Sequence, residues 1–252
     1  MEQKATGRLF ILSRARLFQE VFIVGLGYLV YSQVRGLAAD RVTDAFQNGH
    51  NIVSIERDLG IFKELALQTW VLSHDFLVDV FNVIYFYGLF PLLLPTAVFL
   101  YWRRPKVYVL ARNAFLLSGF IAVCFYLTLP TAPPRLLDIG FIDTLNGSLT
   151  PTYESIPGVN QYAALPSMHV GWNFLTAVAL YMAMTGVPAR GMVLVLPVAM
   201  FTATVVTGNH YFIDGLLGVG IAAVALLIAM RIDRLDARAD ARAPLPQAPS
   251  SS

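Results

Sequence analysis

T-G-N-H-Y-F-I-D-G, residues Thr207 to Gly215, opens into the run F-I-D-G-L-L-G-V-G-I-A-A-V-A-L-L-I-A-M, residues Phe212 to Met230. A bilayer crossing takes about 17–25 apolar residues, and the run is long enough. Yet two ionisable residues, His210 and Asp214, stand four apart at its mouth. A charged side chain at the centre of a membrane helix costs about 3 kcal/mol by insertion scales, so such residues face a bundle interior or a wet cavity. The stretch therefore reads as a membrane span with a polar pocket at one end.

The rest of the chain agrees. Its 252 residues are 56% hydrophobic and 13% charged, against about 25% charged in soluble domains, and the mean hydropathy is +0.61. The charges are missing from long continuous runs, which makes an integral membrane protein with the lipid bilayer as its partner. A net charge of +2 with scattered basic residues excludes a nucleic-acid patch. The single cysteine, Cys124, lies in an apolar run and has no internal disulfide partner. The first apolar run begins near Leu17 after four basic residues, with no small-residue cleavage site before Gln33. It reads as a retained span, not a signal peptide.

Six segments have spanning length: about 17–34, 76–102, 107–129, 170–185, 192–206 and 211–230. The expected fold is all-α and polytopic, with six transmembrane helices in one bundle. Pro91 and Pro95 should kink the second span. The expected organisation is a cytoplasmic segment at 1–16, the membrane domain at 17–230 and a cytoplasmic tail at 231–252, helical at first and then disordered. Placing the N-terminus inside puts 13 of the 18 Lys and Arg residues on the inner face and 5 on the outer. That bias sets both termini in the cytoplasm and the polar pocket on the outer face of the cell membrane.

Two segments then lie outside. Residues 35–75 carry apolar residues at helical spacing and Trp70 near an interface, as expected of a helix lying on the membrane surface. Residues 130–166 form a Pro-rich loop. A connection of that length is usually functional or disordered.

Three polar clusters fall at outer helix ends: T-A-P-P-R-L with Arg135, A-L-P-S-M-H-V-G-W with Ser167 and His169, and the opening stretch itself. An Asp four residues after a His shares its helix face and can hold the imidazole N–H, leaving the other nitrogen as a nucleophile. The pair could equally be a structural hydrogen bond. A metal site would need further His or Cys at ligand spacing, and none stands nearby. His169 can protonate a leaving oxygen, and Ser167 with the first N–H groups of a helix suits a phosphate. Alone, that motif would be an ordinary N-cap beside a surface histidine. Arg135 offers a planar fork to phosphate oxygens, or serves as an interfacial anchor. The three clusters on one face favour a site.

These motifs resemble the type 2 phosphatidic acid phosphatase superfamily, which shares its fold with vanadium haloperoxidases. A-P-P-R, L-P-S-M-H and G-N-H-Y-F-I-D look most like its inositolphosphotransferase branch, that of fungal inositol phosphorylceramide synthase. The resemblance covers about residues 17–230. It implies His210 as nucleophile, Asp214 as the residue orienting it, His169 as acid and base, and Arg135 and Ser167 as phosphate-binding positions. Asn209 is a further candidate donor to the phosphate. Two superfamily cations are missing: Thr128 stands where a Lys is usual and Thr204 where an Arg is usual. Hydroxyls do not replace them charge for charge.

The expected activity is transfer of a phosphoryl or phospho-headgroup from a membrane lipid phosphate, through a phosphohistidine, to an alcohol acceptor such as a polyol, or to water. Neither metal nor cofactor is required. A simple phosphatase acting on phosphatidate or a prenyl diphosphate differs only in its acceptor. A non-catalytic lipid-phosphate binder or transporter is the alternative from another class. Asp138, Asp143 and Glu154 in the Pro-rich loop are either polyol partners or solvated loop charges.

Overall fold

The computed structural model describes residues 17–31, 33, 41–145 and 161–242. The segment 1–16, the end of the tail beyond Arg242, and Glu154 lie outside the described residues. The chain is helical: α1 (Leu17–Tyr31), α2 (Val42–Asp58), α3 (Glu64–Leu72), α4 (Asp75–Tyr87), α5 (Phe90–Arg103), α6 (Pro105–Thr128), α7 (Met168–Ala183), α8 (Val187–Val193), α9 (Val195–Val206) and α10 (Phe212–Arg242).

Among the described residues three helices qualify as spans by length and composition, Pro105–Thr128, Val187–Val206 and Phe212–Leu235, and the bent pair α4–α5 makes a fourth if it is one span. The other two of the six expected spans are the 15-residue α1 and the 16-residue α7. At 1.5 Å per residue α7 is about 24 Å long, short of a hydrocarbon core of about 30 Å, while α1 borders residues outside the described ones on both sides. The fifth span starts earlier than its expected 192, because α8 leads into α9. The second span bends by 45°, as expected, immediately on the N-terminal side of Pro91. The break falls at Gly88–Leu89. Pro91 lies in the first turn of α5, where a missing N–H costs nothing, and Pro95 is carried inside the helix.

α7 is the axis of the bundle. Eleven of its sixteen residues are buried, and it packs against α6, α9 and α10. A helix apolar on all sides belongs in a core, and its polar Asn173 and Thr176 return their hydrogen bonds to carbonyls one turn back, on His169 and Trp172. At the bundle end away from the motifs, Arg104 donates to the Ala183 carbonyl (3.1 Å) and Arg190 to that of Met184 (2.9 Å), closing the last turn of α7. Arg112 pairs with Glu20 of α1, while further along the two helices Tyr31 meets Tyr126 edge-on. α1 and α6 therefore run side by side in the same direction.

The segment expected to form one surface helix is two, α2 and α3, parted at Gly60, whose φ is +71°. It does more than cover the bundle. Its inner face carries Glu56, Glu64 and Gln68, all fully buried.

Candidate active site

A short strap after α6 joins the three motifs. Thr131 N–H donates to the Tyr162 carbonyl and Ala164 N–H to that of Thr131, a two-bond parallel bridge to the segment before α7. Ala132 N–H reaches the Ala45 carbonyl of α2, and Arg135 N–H the Gly208 carbonyl at 2.9 Å. Gly208 has φ +70°, a conformation that favours glycine. The turn after it is held by the Thr204 carbonyl, which accepts from both Asn209 N–H and His210 N–H. Helices α7 and α10 cross backbone to backbone: a Cβ on Gly218 would lie 2.1 Å from the Ser167 carbonyl oxygen. At that crossing Ser167 N–H donates to the Asp214 carbonyl (3.0 Å). The motif P-S-M-H is thereby pinned against H-Y-F-I-D.

His210 is 5% exposed and Asp214 fully buried. The imidazole Nδ1 lies 2.9 Å from the Ala164 carbonyl and 3.3 Å from Asp214 Oδ2. Both partners are acceptors, so Nδ1 carries the hydrogen and Nε2 is the basic nitrogen. The shorter bond is the one to Ala164, a partner the i, i+4 spacing does not reveal. Asp214 Oδ2 also accepts from Tyr211 N–H (3.1 Å), so the carboxylate fixes the backbone as well as the ring.

Ser167 stands at the N-cap of α7, but its hydroxyl makes no capping bond. It is fully buried and without a partner. That departs from the ordinary N-cap reading and leaves an unspent hydroxyl beside the first-turn N–H groups of α7, which lack intrahelical acceptors by geometry. His169 lies with its ring centroid 5.9 Å from that of His210, stacked on Tyr85 of α4 at 4.7 Å and 25°.

Arg135 is brought to the same place. Its Nε donates to Asn209 Oδ1 (2.9 Å) and its Nη1 to Asp143 Oδ2 (2.8 Å). Asn209, expected on a phosphate, has its amide taken up instead: Oδ1 by the arginine and Nδ2 by the Thr207 hydroxyl at 2.9 Å. Asp143 is a half-buried ion-pair partner of the buried Arg135 and not a solvated loop charge, whereas Asp138 is exposed. Neither missing cation is made good by its replacement. Thr128 is exposed and bonds its own helix at the Cys124 carbonyl, and the Thr204 hydroxyl bonds the Phe201 carbonyl.

Four further polar residues support the site. Glu64 accepts from Phe212 N–H (3.0 Å) and Glu56 from Ile213 N–H (2.9 Å). Gln68 donates to the carbonyls of Val206 and Ile142 and accepts from Ile142 N–H. Asn82 of α4 exchanges two 2.8 Å bonds with Thr144, tying down the loop that presents Asp143. A signal for the first three exists in the sequence. Glu56 continues the buried stripe Ala45, Gly49, Ile52, Val53 at helical spacing, and Glu64, Gln68 and Val71 do the same in α3.

No curated protein matches the sequence at a significant level. Among solved structures, that of LpxE from Aquifex aeolicus is similar, at 17% identity and a TM-score of 0.50, covering 62% of this chain and 86% of that one. At that identity the likeness speaks for the fold alone. The sequence itself matches the PAP2 superfamily over residues 50–228, a range that runs from α2 to within the sixth span and takes in all three motifs. With a match over more than two thirds of its length, the chain belongs to the PAP2 superfamily.

Proposed function

We propose that this protein transfers a phospho-headgroup from a lipid phosphodiester to an alcohol acceptor through a phosphohistidine. The observation that carries it is the pairing of His210 Nδ1 with two acceptors, which points the basic Nε2 nitrogen out as nucleophile. Arg135, the Ser167 hydroxyl and the first N–H groups of α7 hold the phosphate oxygens. Nε2 attacks phosphorus in line, the bond to the leaving oxygen breaks, and His169 gives that oxygen its proton. His169 then takes the proton of the acceptor hydroxyl, whose oxygen displaces His210 from phosphorus. Stacking on Tyr85 fixes the plane of the His169 ring. The groups that neutralise and protonate are side chains, so the scheme calls for no metal.

Charge supports a diester donor. The superfamily cations are absent at Thr128 and Thr204, and Arg135 is already shared with Asp143. A site with so little positive charge suits a singly charged diester better than a doubly charged monoester. Family membership favours water as acceptor, and a labelled donor lipid decides between the two. With inositol, other polyols and hydroxyl-bearing lipids offered in turn, label should pass to one alcohol at the expense of water-derived product, while donor consumption changes little. If every acceptor leaves the hydrolysis product alone, the protein is a phosphatase.

Six spans with both termini in the cytoplasm belong to this reading, since the basic residues Arg104 and Arg190 sit at the bundle end opposite the motifs. In a Cys124→Ala background, Asp138→Cys should react with an impermeant thiol reagent on intact cells and Thr185→Cys should not. The reverse pattern inverts the orientation.

A further inference from the structure

We propose that Glu56 and Glu64 act as one carboxyl–carboxylate unit holding a single shared proton, and that this unit positions His210 by gripping the first N–H groups of α10. The role assigned to the pair rests on His210 being the nucleophile. Its proton sharing does not.

Both side chains are fully buried, on two different helices outside the spans, and they converge on adjacent backbone N–H groups, those of Phe212 and Ile213. Asp214 takes the N–H of Tyr211. Three consecutive donors at the start of α10 are thus occupied by three carboxyl groups. The anion-binding capacity of this helix end is spent internally, whereas that of α7 is open. Each glutamate uses one oxygen this way. The second oxygen of each, Oε2, has no partner while both groups are ionised, because a carboxylate cannot donate. One proton between the two satisfies both atoms, and two buried carboxyl groups in contact do not ionise together.

Burial, the hydrogen bond to Glu64, and the charges of Glu64 and Asp214 push Glu56 up to about 9, against the partial relief given by Ile213 N–H. The charged groups acting on it, Glu64 from α3 and Asp214 from α10, are both acidic. His210 stands two residues before the gripped N–H of Phe212. Freeing that end of α10 lets the imidazole drift, and a displacement of about 1 Å costs about 100-fold in rate.

The sign of the pH effect follows. The native pair keeps a proton that the unfolded chain releases above its ordinary value of 4.5. Stability from this source is full below that value, declines as pH rises from there, and is lost once pH passes about 9.

The test compares Glu56→Gln with Glu56→Ala and Glu64→Ala in the purified full chain in detergent. The amide of Glu56→Gln donates permanently to Glu64 where the shared proton does so in the native pair. Its thermal unfolding midpoint should vary less between pH 5 and 9 than that of the native protein. Its kcat should stay within about threefold of native, while each alanine variant loses about 10- to 100-fold in kcat with KM changed by less than about threefold. A Glu56→Gln midpoint with the native pH slope overturns the shared proton. Native kcat in the alanine variants, or equal loss in glutamine and alanine variants, overturns the positioning role. If the alanine variants do not fold, the glutamine variant alone decides, by its slope and its kcat. If the native protein turns over no lipid phosphate, the proposed function fails, and the midpoint comparison still decides whether the pair shares a proton.

Discussion

His210→Ala should lower kcat by about 10⁴-fold or more, and His169→Ala should come close to it, with both variants folded and inserted. His210 lies in the turn before α10 and His169 in the first turn of α7, so neither substitution alters a helix interior. The losses arise differently. Without His210 no phosphoenzyme forms. Without His169 the leaving oxygen departs unprotonated, so a donor with an activated leaving group should restore part of the rate to His169→Ala and none to His210→Ala. Asp214→Asn should cost less than His210→Ala, because the Ala164 carbonyl still holds Nδ1 at 2.9 Å. The check is single-turnover kinetics with acid-quench trapping of labelled enzyme. Turnover within tenfold of native in His210→Ala would remove the phosphohistidine from the scheme.

Gly218→Ala should be nearly as damaging, though residue 218 touches no substrate. Its Cβ would lie 2.1 Å from the Ser167 carbonyl oxygen, a backbone atom that no rotamer change can move aside. Overpacking against side chains costs about 1–3 kcal/mol, and here helices α7 and α10 must separate instead. That moves Ser167 and His169 away from His210, so a loss of about 100-fold in kcat/KM is expected together with a lower unfolding midpoint. Gly220→Ala is the control, two residues along the same helix with nothing within 4 Å of the added carbon. It should behave as the native protein does. Equal behaviour of the two alanine variants would mean that the close crossing does not set the site.

Much of this protein is legible in its sequence because a bilayer is a harsh solvent. Uncharged runs had to be membrane helices, since lipid leaves backbone groups no other partner. At the ends of such runs a cluster of polar residues needs a reason, so Arg135, Ser167, His169, His210 and Asp214 stood out beside an apolar background. All five meet at one end of the bundle. Where the sequence was less explicit, the physics was non-local. Asn209 shares a motif with the nucleophile, yet its amide serves Arg135 and Thr207. The stripe holding Glu56, Glu64 and Gln68 is periodic enough to announce a buried face, but periodicity does not say what that face meets. Only the packing of α2 and α3 against the start of α10 shows that it meets backbone N–H groups. Sequence alone determined which residues are chemically unusual, because lipid penalises each one separately. Tertiary structure decided what each is bonded to, because a hydrogen bond to Ala164, 46 residues before His210, depends on how two helices cross and on nothing in the side chain at either end.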